Sequence, residues 1–161
     1  MLSIGACLVD QPERSFYVEL VPTTRTAVPE ALAVSGLSLD ELARTGIDPE
    51  TALRQFEEWL GELSGPPVFT AFNAAFDWMF IDDYFSRFLG RNPFGHAALD
   101  IKAYYMGLAD STWAETSMRF LSPLYLGGRH LEHNALSDAR DQAELFRALR
   151  AEAHSRRPSA D

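Results

Sequence analysis

The chain has 161 residues, 47% of them hydrophobic and 23% charged, which suits one globular domain with a full core. A net charge of −9 argues against a broad basic face that grips duplex by counterion release, but it leaves room for an enzyme that works through divalent cations, which bring their own positive charge. No apolar run reaches the roughly eighteen residues of a membrane span and no secretory pattern is visible, so no membrane association and a cytoplasmic location are expected. Cys7 is the single cysteine, which excludes an internal disulfide and a cysteine-based zinc site; its apolar surroundings suggest a small, inert core residue.

Met1 to Asp10 and Ser15 to Val21 read as two strands joined by a tight turn at Gln11-Pro12-Glu13-Arg14. Pro22 to Gly36 reads as an irregular connection. Ser38-Leu39-Asp40-Glu41 has capping-box spacing and should start a short helix ending near Gly46. Asp48-Pro49 starts another helix, with Ala52, Leu53, Phe56, Leu60 and Leu63 as its core stripe. After the break at Gly65-Pro66-Pro67, Val68 to Phe72 reads as a buried strand that hands over to a helix at about Asn73. Asn92-Pro93-Phe94-Gly95 forms a turn, Ala97 to Ile101 a short strand, Trp113 to Phe120 a helix, and Leu126 to His130 a glycine-containing loop. That loop lacks the Gly-Lys-Ser/Thr of a phosphate loop. From Leu136 the apolar residues Ala139, Ala143, Phe146, Leu149 and Ala153 recur in steps of three and four, the stripe of a last long helix.

Two places carry chemistry. Asp138 lies in the first turn of the last helix, where the dipole and free N–H groups favour a carboxylate, and His133 stands just outside. A capping acid beside a loop histidine is an equally ordinary reading of that pair. Asp77 sits between Phe76 and Trp78 in a helix that is apolar on most sides, so it must reach water, a donor or a cation. Asp100, at a strand end, reads as a structural hydrogen-bond acceptor, and His96, His130 and His154 read as ordinary surface or loop histidines.

Phe72-Asn73-Ala74-Ala75-Phe76-Asp77, followed by His133-x-Ala135-x-x-Asp138, resembles the second and third motifs of the DEDDh exonucleases of the ribonuclease H-like superfamily. Met1 to Ala6 resembles that family's second strand. The resemblance implies an α/β fold, a mixed β-sheet flanked by helices. It also implies removal of nucleoside 5′-monophosphates from the 3′ end of single-stranded DNA or RNA, with Mg²⁺ or Mn²⁺ in a two-metal site. Asp77 and Asp138 would be metal ligands, His133 the general base, and Asn73 and Phe76 substrate contacts.

The family's first motif, an Asp-x-Glu on the central strand, has no counterpart here, and Asp10 is no substitute. Without that strand, backbone groups should face a gap, and the fold should be poorly stable. The expected organisation is therefore an exonuclease-like domain over residues 1–154 that lacks its first strand, with a disordered tail over 155–161. A missed upstream start is favoured over a natural short form. As written, the chain should have little or no activity. The alternative is a catalytically inactive module of the same fold that binds nucleic acid or protein.

Overall fold

A computed structural model describes residues 1–129 and 133–156. The reading of His130 and most of the tail, 157–161, lies outside the described residues; Ser155 still belongs to the last helix.

The amino-terminal hairpin pairs β1 (Ser3–Leu8) antiparallel with β2 (Gln11–Glu19), Ile4 opposite Val18 and Ala6 opposite Phe16. The turn is Val9-Asp10, not Gln11 to Arg14 as the proline suggested. β2 is an edge strand, where proline's missing N–H need not interrupt a ladder, so Pro12 is tolerated inside it. The turn is fixed from outside: Arg147 donates to the Val9 carbonyl and Arg150 pairs with Asp10 at 3.0 Å.

The stretch after Pro22 is not wholly irregular. It holds α1 (Pro29–Ser35), which has proline at its start and a left-handed Gly36 as its stop. Next come α2 (Leu39–Thr45), with the Ser38 hydroxyl accepting from the Glu41 N–H, and α3 (Pro49–Gly61), capped by Asp48. β3 (Phe69–Ala71) leads into α4 (Ala74–Leu89), and β4 (Ala98–Asp100) pairs parallel with β3 and runs straight into α5 (Ile101–Ala109), a helix not anticipated from the sequence. Trp113 to Phe120 is not one helix: Trp113–Thr116 is a 3-10 turn, Ser117 is extended, and α6 (Met118–Tyr125) follows. The reciprocal capping box is made here, between Thr112 and Glu115. α7 (Ala135–Ser155) is the long last helix, capped by the Asn134 side chain.

The expected mixed α/β architecture is present, but its sheet is small and divided. β1 pairs with β2 and β3 with β4, and no described strand joins β1 to β3. The core is divided in the same way. One cluster gathers Ile4, Val18, Leu53, Phe56 and Phe85 beneath the hairpin, and the other gathers Ile101, Leu121, Leu145 and Leu149 under α7. Val68, expected in a buried strand, is 69% exposed, because β3 has a strand neighbour on one side only.

Candidate active site

Between the two half-sheets lies a cavity of about 520 Å³, walled on one side by Ser3 to Val9 and on the other by Pro67 to Ala71. Asp77, His133 and Asp138 all line it. Each arrives on a different local device. Asp77 is in the first turn of α4, which begins after Asn73 takes a left-handed conformation at φ 65°, a geometry asparagine tolerates better than most residues. His133 is also left-handed, at φ 57°, and Asn134 then caps α7 through N–H groups of Leu136 and Ser137, which sets Asp138 in the first turn.

Helix α7 reaches this position because Gly5 lets it. A Cβ on Gly5 would fall 2.2 Å from the Ala135 carbonyl carbon and 2.4 Å from the Leu136 nitrogen, so helix backbone lies directly on strand backbone. One turn beyond Asp138, Gln142 accepts the Phe72 N–H through its side-chain oxygen at 2.9 Å, tying the end of β3 to α7. Asp100 completes the frame. One oxygen accepts from the N–H groups of Lys102 and Ala103, at 2.8 and 3.1 Å, and the other accepts from Ala74 at the start of α4, at 2.7 Å. It is the structural acceptor the sequence suggested, and its oxygens are engaged with backbone donors. Its reach to Ala74, 26 positions away, was not legible.

Asp77 is the perturbed acid of the site. Burial in the cavity wall, with the Asp100 charge adding to it, pushes its pKa from the ordinary 3.8 up to about 6. Tyr17 also lines the cavity; burial, its hydrogen bond to Glu19 and the Glu19 charge push its hydroxyl to about 12, so it is a neutral donor at any working pH. Cys7 is half-buried rather than a core residue: its thiol donates to the Ala139 carbonyl, and burial holds its pKa up, in keeping with an inert thiol. Asn73 and Phe76 stand apart from the cavity lining. Asn73 is exposed at the α4 start, and Phe76 is 56% exposed, edge-on to Phe80, which does line the cavity.

Two carboxylates on one cavity are hard oxygen donors suited to Mg²⁺ or Mn²⁺, and a nearby cation relieves the cost of ionising Asp77. The number of donors falls short: among the described residues, no three His, Cys, Asp or Glu side chains come together as one metal-holding group.

The cavity thus has an acid from the first turn of each of α4 and α7, and a histidine just before α7, among its lining residues. The chain belongs to the exonuclease family RNase_T, whose match spans residues 1–146, and its substrate is nucleic acid. A 3′–5′ DNA exonuclease of Escherichia coli, Cap18, is 44% identical over 152 residues, covering 92% of this chain and 81% of that protein. Among the described residues no helix is long and apolar enough to cross a membrane.

Proposed function

We propose that this protein removes nucleotides from the 3′ end of single-stranded DNA, with Asp77, His133 and Asp138 as its working groups. The observation that carries the proposal is that these three side chains, 56 or more positions apart in sequence for Asp77 and the pair, line one cavity. DNA is preferred over RNA because the relative at 44% identity is a DNA exonuclease. Asp77 and Asp138 would hold a divalent cation, which when bound supplies charge stabilisation at the phosphate. His133, just outside the helix, accepts the proton of the attacking water. The single cysteine and the acidic surface fit a cytoplasmic setting.

The shortage of carboxylates favours a second reading, a module of the same fold that binds nucleic acid without cutting it. One assay separates the two. A 3′-labelled oligonucleotide with Mn²⁺ is incubated with the protein and with Asp138→Ala. The nuclease reading expects slow release of labelled mononucleotide by the protein, in keeping with its short set of carboxylates, and none in the variant. Equal digestion by both would overturn the assignment of the site, and binding of the oligonucleotide with no digestion would establish the second reading.

A further inference from the structure

The chain has one lysine, Lys102, whose ammonium lies against aromatic rings rather than in an ion pair. The ion pairs among the described residues are all made by arginines, at positions 25, 54, 87, 91, 129, 150 and 156. Lys102 has no acidic partner there. Its ammonium lies 3.9 Å from the centre of the Trp113 ring and 5.7 Å from that of Phe72. The nearest carboxylate in sequence, Asp100, makes no ion pair with it among the described residues; its oxygens accept from three backbone N–H groups.

The position matters as much as the pairing. Ile101, next to Lys102, and Ala71, next to Phe72, both line the cavity, and the Phe72 N–H is bonded to Gln142 on the same wall. Lys102 and Phe72 each stand one residue beyond the cavity lining, at the end where α4 and α5 begin. Trp113 beside it is 53% exposed. A cation held against aromatic faces and engaged in no ion pair, beside a half-open indole, matches the two parts of a nucleotide within a strand: phosphodiester charge and base face.

We propose that Lys102 and Trp113, backed by Phe72, form a holding site for a nucleotide of the single-stranded DNA that leads into the cavity, the ammonium on a phosphodiester and the indole on a base. The proposal rests on the nuclease reading for its ligand, and its test is kept separate from cleavage. The competing structural account is that the lysine stem simply packs on Trp113; Lys102→Met preserves such packing and removes only the charge.

The experiment follows binding of a 5′-labelled oligothymidylate of about ten nucleotides to the full chain by fluorescence anisotropy, in chelator so that nothing is cut, over a series of salt concentrations. K102M is expected to weaken binding about fivefold or more at low salt and to lower the slope of log affinity against log salt by about 0.7, the loss of one phosphate contact. K102R is expected to restore the slope. W113A is expected to weaken binding about fivefold or more with the slope unchanged, the mark of lost stacking. Free thymidine monophosphate is expected to bind far more weakly than the strand; equal affinity for it would overturn the strand assignment. The proposal is also overturned if K102M leaves affinity and slope as in the unmodified protein, or if the oligonucleotide does not bind at all. If Asp138 governs digestion while K102M changes nothing, the holding site fails and the nuclease reading stands.

Discussion

At the residue scale, Asp77 is held under opposed demands. Its place in the wall raises its pKa to about 6, so the fold without metal prefers the protonated form, whereas cation binding requires the charged one. The sign of the pH dependence follows. A carboxyl whose folded pKa is raised contributes its full stability below its unfolded value near 4, and loses it as pH rises through about 6. In chelator, the melting temperature of Asp77→Asn should therefore gain on that of the unmodified protein by a few degrees between about pH 4 and pH 7, and saturating Mn²⁺ should reverse the gain. A gap that is flat with pH would mean that Asp77 is an ordinary solvated acid. Asp77, His133 and Asp138 were singled out by the resemblance of their two motifs to the DEDDh exonucleases, and all three line the cavity. Lys102 was not singled out, because the rings that hold it are Phe72, on the far side of a parallel strand pair, and Trp113, in a turn that the sequence pattern runs together with α6.

At the scale of elements, the site depends on how closely α7 lies on β1. Gly5 carries that contact, and any Cβ there must displace helix backbone, which cannot rotate away as a side chain could. Gly5→Ala should cost about 2 kcal/mol or more in urea unfolding, within the usual range for overpacking, and should shift Asp138 and His133 together. A change below about 0.5 kcal/mol would show that the helix start is loosely seated. The long helices were readable from apolar spacing, and α3 and α7 occur where that spacing put them. The misread elements have particular causes. Helix α1 has clear stop and start residues, Pro29 and Gly36, but no buried stripe to announce it. Pro12 imitates a turn but occupies an edge strand. Helix α5 begins directly at a strand end, so its cap, Asp100, was read only as the end of the strand.

At the scale of the whole molecule, two small sheets and two apolar clusters face each other across the cavity that holds the acids. The resemblance to the DEDDh exonucleases anticipated a gap at this place, and the structure has one between β1 and β3. Strand edges that border a cavity leave backbone groups without ladder partners, the cost of which is borne by the clusters on either side. Polar ties add to the packing of α4 and α7 against the hairpin: Phe72 to Gln142, Ala74 to Asp100, Cys7 to Ala139 and Met1 to Tyr84. The central claim is that Asp77 and Asp138, brought together by this arrangement, serve one cation. It is tested most directly by titrating Mn²⁺ into the protein, into Asp77→Ala, into Asp138→Ala and into the double variant, following free ion by electron paramagnetic resonance. The account predicts a binding step in the unmodified protein that is lost in either single variant, with the double variant no weaker than the weaker single one. Undiminished Mn²⁺ binding in the double variant would contradict it.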